Sequence, residues 1–375
     1  MQKTAHLKYL PQTLPIILVV ALMVTLTPDG YSQMPSGTKK ATGTVLGARQ
    51  GVLRTIPFIT LRNRTGSDDA AKYFGGERST VQAGYCDVSS TPLTTLKAIA
   101  EKAPFYIPDD RVKLTAIREL PIEDLWHDMQ NISGSLRPVL YTHGFFINFN
   151  RGCKRATLFQ ENLGLAGRMM LFSWPSDGTI LNYAQDESDL YWSVDPLKKI
   201  LTDMIRRFGA GNIDVVAHSL GSRGVFLALV RMAEAKHRNK PLVNQIILLA
   251  PDIDAGIFKQ YLPGIKSLAR KITIYVSGND NSLALSRKVH GYPRLGESGT
   301  HLQGMTEIEI IDISDIPVRY PSGHVYHLYN DIVINDLNQL LNDGKPASQR
   351  NNLKQTGENY WRMQPPAPNS RSATD

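Results

Sequence analysis

The chain has 375 residues, of which 42% are hydrophobic and 20% charged, enough apolar material for a sizeable core and too much for global disorder. The formal charge is +8, but no block of about five basic residues and no basic stripe interleaved with aromatics occurs, which excludes a nucleic-acid footprint. No H-E-x-x-H, paired-cysteine spacing, phosphate loop or dinucleotide fingerprint is present, so neither a metal nor a cofactor is expected.

At the N-terminus, Lys3, His6 and Lys8 precede the apolar run IILVVALMVTL (16–26). A spanning helix needs about 20 residues, whereas the apolar region of a secretory signal needs about 7–15. Residues 1–32 are therefore expected to be a signal peptide, with Gly30 and Ser32 marking cleavage before Gln33. The alternative is an anchor in the inner membrane through residues 14–26. Either way the protein is expected to be exported, to the periplasm or beyond. No cysteine follows the run, so a lipid-modified N-terminal cysteine is excluded. Cys86 and Cys153 are the only cysteines; in an exported protein such a pair invites a disulfide, with two buried free thiols as the alternative.

Residues 33–50 are rich in Gly, Ser, Thr and Lys and read as a linker. An N-terminal extension follows over 51–135. In it TIPFITLRNR (55–64) alternates like a strand, YFGGERS (73–79) holds a turn, and TTLKAIAEKA (94–103) suits a short helix. No chemistry attaches to this segment.

The pattern becomes regular over 136–343. Near-continuous apolar runs at 137–144, 168–175, 213–219, 244–252, 271–280 and 307–314 read as strands buried on both faces. Between and after them, 155–167, 194–209, 221–238, 282–291 and 332–343 carry apolar residues at helical spacing. Alternating strands and helices specify an α/β fold with a mostly parallel, doubly wound sheet. Residues 344–375 are polar, with Pro365, Pro366 and Pro368, and are expected to be a mobile tail.

In such a sheet, reactive groups collect beyond the carboxyl ends of the strands. The predicted strands end in THG, SWPSD, HSLG, APDID and SGND. Ser219 sits in Ala-His-Ser-Leu-Gly between a β-branched strand and a helix, the context of a nucleophile elbow, with Ala217 in place of the usual first glycine. A serine nucleophile needs a base, and the base needs an orienting carboxylate. Asp280, opening the loop after a strong strand, is the expected acid, although it also suits a helix N-cap. Asp252 and Asp254 are the alternatives. For the base, His324 on the loop after Gly323 is preferred to His327, which lies nearer the last helix. His143 and His218 read as buried structural histidines. The amides of Leu220, at a helix start, and Phe145, in YTHGFF, are the expected oxyanion donors. Phe145, Phe146, Trp174, Tyr183 and Tyr191 suit either an acyl pocket or the core.

Together, YFGGERS, GYCDVS, YTHGFFINF, FSWPSDG, AHSLGSR, APDID, TIYVSGNDNSLALSRKVHGYPRLGE and SGHVYHLYND resemble a family of bacterial α/β hydrolases of unknown function, over about residues 55–342. The resemblance implies an α/β-hydrolase fold with Ser219, Asp280 and His324 at the triad positions. The family's His-x-Tyr is met by His324 and Tyr326, which supports His324 over His327. It implies no particular substrate.

The expected activity is hydrolysis of a carboxylic ester, small or lipid-like, through an acyl-enzyme, without cofactor or nucleic acid and with a membrane-surface location compatible. An acyltransferase on the same triad and a non-catalytic envelope binding protein are the alternatives.

Overall fold

The computed structural model describes residues 52–91, 112–234, 240–317 and 322–365. The expected signal segment (1–32), the linker (33–50) and the helix at 94–103 lie outside them.

The predicted core strands form where the apolar runs place them: β4 (Val139–Thr142), β5 (Met169–Ser173), β6 (Asp214–His218), β7 (Val243–Leu249), β8 (Ala269–Val276) and β9 (Glu309–Asp312). Consecutive residues point to opposite faces. In β6, Val215 and Ala217 join one buried cluster while Val216 joins the other. Burial on both sides is why these strands read as unbroken apolar runs.

Helix α1 (Ile122–Ser133), α3 (Tyr183–Phe208), α4 (Leu220–Glu234) and α5 (Ala255–Lys266) contribute to the first cluster. Helix α2 (Phe149–Leu163) and α8 (Asp331–Leu341) contribute to the second, along with α6 (Asn281–His290) and the single turn α7 (Tyr326–Tyr329). The architecture is thus helix, sheet, helix.

The extension does not merely pack on this core. Strands β1 (Val52–Arg64), β2 (Phe74–Ser90) and β3 (Val112–Leu120) continue its sheet. Strand β1 pairs parallel with β5, and β2 and β3 then add antiparallel. YFGGERS, expected to hold a turn, is mostly the first part of the 17-residue β2. At the opposite edge the expected mobile tail is a hairpin, β10 (Leu353–Gly357) and β11 (Tyr360–Met363), whose second strand pairs parallel with β9. Tail residues 366–375 lie outside the described residues.

The full order is β10-β11-β9-β8-β7-β6-β4-β5-β1-β2-β3. After β4 the chain moves one way, to β5, and then returns across β4 to β6. Such a reversal opens a crevice beyond the carboxyl ends of the two diverging strands. The loops after β4 and β6 carry YTHGFF and the Ser219 turn.

Candidate active site

Ser219 occupies the left-handed region at φ 53°, a conformation that costs an L-residue of order 1–3 kcal/mol and persists only where the surroundings impose it. Its N–H donates to Leu249 O at 2.9 Å, and its carbonyl accepts from Ser222 N at 3.0 Å and Asp252 N at 3.2 Å. Gly221 is required for a different reason: a Cβ there would lie 2.1 Å from His143 O. The helix after the serine therefore presses directly on the loop after β4.

Asp280 makes both contacts that its sequence context allows. One oxygen, Oδ1, caps α6 by accepting from Leu283 N at 3.0 Å. The other, Oδ2, lies 2.7 Å from His324 Nδ1. A carboxylate can only accept here, so Nδ1 carries a proton, and in the neutral imidazole Nε2 holds the lone pair. The loop bearing His324 is clamped against the acid: Asn281 N donates to Ser322 O at 2.9 Å, and Gly323, at φ 63°, comes so close that a Cβ would sit 2.2 Å from Asn279 O.

His218, the residue before the serine, ties this loop to the elbow. Its Nε2 is 3.1 Å from His324 O, and the two rings lie 4.6 Å apart. A carbonyl only accepts, so Nε2 donates. Burial first, then the neighbouring His327 and His324, hold the His218 pKa well below the ordinary value, which keeps the ring neutral. The histidine read as structural thus has a positioning task. His327 is fully buried, and neither ring nitrogen has a hydrogen-bond partner among the described residues.

Asp252 and Asp254, the alternative acids, are occupied elsewhere. Asp254 caps α5 through Ile257 N at 3.0 Å. Asp252 lies between Arg294 Nε at 2.6 Å and Arg223 Nη2 at 3.2 Å, and accepts from Ser286 Oγ and Tyr183 Oη. Burial alone would raise its pKa, but the two guanidiniums outweigh burial and hold it well below the usual carboxylate range.

In the loop after β4 the amides divide. Phe146 N–H reaches Asp186 Oδ2 at 3.4 Å and Ile147 N–H reaches Ser176 Oγ at 3.1 Å. Phe145 N–H and Leu220 N–H have no acceptor among the described residues. Ser219 is 6% exposed, and its hydroxyl forms no hydrogen bond with His324 among the described residues, a contact that commonly tightens only when substrate binds.

Trp174 is fully buried, donating to His143 O at 2.9 Å, and is core rather than pocket lining. Phe145 and Tyr183 meet edge to face at 5.0 Å beside the site, and Tyr191 is largely exposed. Cys86 and Cys153 are buried free thiols in mutual contact.

Residues 129–342, more than half of the chain, match the family described as "Alpha/beta hydrolase of unknown function (DUF900)". The chain belongs to this family. No curated protein matches the chain. Among solved structures, this α/β hydrolase is similar to a hyperthermophilic esterase from the archaeon Pyrobaculum calidifontis, at 14% identity over 56% of this chain and 78% of that one, with a TM-score of 0.30. It is also similar to a hormone-sensitive lipase from a metagenome library, at 16% identity over 68% and 92%, TM-score 0.33. A third is carboxyl esterase 2 from the mycorrhizal fungus Tuber melanosporum, at 10% identity over 87% and 96%, TM-score 0.32. Scores this low carry no weight for activity in this hydrolase.

Sequence reasoning missed Arg62 and Asp186, and took Ser173 and Ser176 only as parts of the strand end SWPSD; the four surround the loop after β4. The usable signal was the position of Arg62 and Ser173 at the carboxyl ends of strands.

Proposed function

We propose that the protein is an exported serine hydrolase that cleaves carboxylic esters through an acyl-enzyme. The observation that carries this reading is the 2.7 Å pair between His324 Nδ1 and Asp280 Oδ2, tethered through His218 to a serine in a strained strand-to-helix turn.

In the proposed cycle, Ser219 Oγ adds to the ester carbonyl carbon as its proton passes to His324 Nε2. The carbonyl oxygen becomes an oxyanion, held by the amides of Phe145 and Leu220; losing one such donor typically costs about 10²–10³ in rate. Collapse expels the alcohol, which leaves with the proton from His324. Water then gives a proton to His324 and attacks the acyl carbon, and the acid departs as Ser219 recovers its proton. Asp280 holds the imidazole in the required tautomer throughout.

The substrate class proposed is a small or lipid-like ester. The half-buried Phe145 and Tyr183 beside the serine support an apolar acyl group. Export rests on the apolar run at 16–26 and its basic flank.

A fluorophosphonate probe is expected to label the protein at Ser219, with p-nitrophenyl esters of graded acyl length turned over. Ser219→Ala should abolish labelling and lower turnover by about 10⁶. Labelling that survives in the mutant removes Ser219 from the mechanism. Amino-terminal sequencing of the protein from an envelope fraction is expected to begin at Gln33, and an intact Met1 would remove cleavage.

A further inference from the structure

Among the described residues of the extension, Arg62 makes the widest set of contacts around the loop after β4. Arg62, near the carboxyl end of β1, is fully buried. Its guanidinium donates from Nε to Ser173 Oγ at 2.9 Å, from Nη1 to Gly75 O at 3.1 Å and Ser176 O at 2.6 Å, and from Nη2 to Ile147 O at 2.7 Å. Nη2 also lies 3.4 Å from His143 Nε2. The His143 Nδ1 proton is committed to Gly144 O at 2.8 Å, so Nε2 is an acceptor.

These contacts grip both sides of the loop that carries Phe145. His143 and Ile147 bracket it in sequence, and Ser173 and Ser176 form the wall behind. Ser176 extends the grip, because its hydroxyl accepts from Ile147 N and donates to Asp186 Oδ2, and Asp186 takes Phe146 N. With the amides of 146 and 147 occupied and both flanks fixed, the Phe145 amide has no acceptor among the described residues. Phe146 holds φ at 63°, so the loop is kept in a conformation that it would not adopt unaided.

A buried arginine is costly to desolvate unless its donors are met, and here each nitrogen of the guanidinium has an acceptor. Burial draws the Arg62 pKa down to about 9, with the Asp186 carboxylate opposing, so the guanidinium stays charged at neutral pH. All five nitrogen–hydrogen donors of a planar fork are needed to reach acceptors on three separate segments, which lysine cannot do.

We infer that Arg62 is a positioning residue for the oxyanion hole: from a strand outside the family-matched span, it holds the Phe145 amide where the tetrahedral oxygen forms. The inference rests on the serine-hydrolase reading above.

The test uses the full chain with active sites titrated by fluorophosphonate, comparing wild type, Arg62→Lys, Ser173→Ala and, as a control on the same strand, Arg64→Met. Arg64 is exposed and pairs with Glu119 at 2.5 Å, away from the crevice. Displacing a donor by about 1 Å can cost 10²-fold, so Arg62→Lys is expected to lower kcat per titrated site by about 10- to 100-fold. KM should stay within about threefold, and affinity for a trifluoromethyl ketone, which forms a tetrahedral adduct, should fall in step with kcat/KM. A purely structural role would reduce the titratable fraction and leave each remaining site at full kcat and full ketone affinity, which overturns the inference. If Arg62→Lys does not fold, Ser173→Ala decides: a loss of about fivefold in kcat and ketone affinity is expected from freeing Arg62 Nε, and unchanged values overturn it. Wild type that neither labels nor turns over esters brings down the hydrolase reading itself, and is distinguished by failing before any variant is compared.

Discussion

The two edges of the sheet are built alike and are used differently. Each adds strands beyond the parallel core: β1 to β3 at one side, β11 and β10 at the other. The N-terminal edge sends Arg62 inward to the loop after β4. The C-terminal edge ends on Asp312, where Tyr360 Oη donates to Oδ2 at 2.7 Å, and on Ser298 at 3.1 Å. Among the described residues, none of its hydrogen bonds or ion pairs involves Ser219, Asp280 or His324. Distance along the sheet from the point of reversal explains the difference. Strand β1 is two places from β4, whereas β11 is four places from β6.

This contrast can be broken by experiments of decreasing size. The largest effect belongs at the centre. Asp280→Asn keeps a good helix cap but presents the wrong partner to His324, so kcat should fall by about 10⁴ while thermal stability stays near wild type. A parallel loss of stability would mean that the carboxylate chiefly holds the loop. Next comes Asp252→Asn, which leaves Arg223 and Arg294 without their shared carboxylate and should destabilise the fold by about 3–5 kcal/mol at neutral pH. The Asp252 pKa is depressed in the folded state, so its contribution is complete above the unfolded value and is lost as pH falls through the folded one. Urea unfolding should therefore show the gap between wild type and variant constant at neutral pH and narrowing only below about pH 4. The smallest effect is at the far edge. Tyr360→Phe removes a hydrogen bond to a buried carboxylate and should cost about 1–2 kcal/mol in stability, with kcat/KM unchanged. A change in turnover there larger than that of Arg62→Lys would erase the distinction between the edges.

The core strands were legible because burial on both faces leaves an unbroken apolar run, as in IDVVAHS. Strand β2 was not, because its first half is largely solvent-facing and carries Gly75, Gly76, Glu77 and Arg78. The apolar spacing places the start of helix α3 at 194, yet the helix begins at Tyr183 and contains Pro196. Helix α5 escaped notice because Gly256, Pro263 and Gly264 lower its helical signal. The C-terminal hairpin is mostly exposed and polar, so only pairing with β9 reveals it. At the site, Asp280 and His324 were readable from strand ends and chain order. Arg62 was not, because a buried cation satisfied by four backbone and hydroxyl oxygens, plus one imidazole, leaves no local pattern in the chain.

The hydrogen bond from His218 to the His324 carbonyl has a mechanical consequence. It joins the loop of His324 to the very strand that leads into Ser219, so thermal excursions of that strand should displace both together and preserve their spacing. The amide at 145 belongs to a different strand and answers to a different anchor. When the molecule loosens on heating, the first separation to grow should be that between serine and amide, costing charge stabilisation well before proton transfer fails.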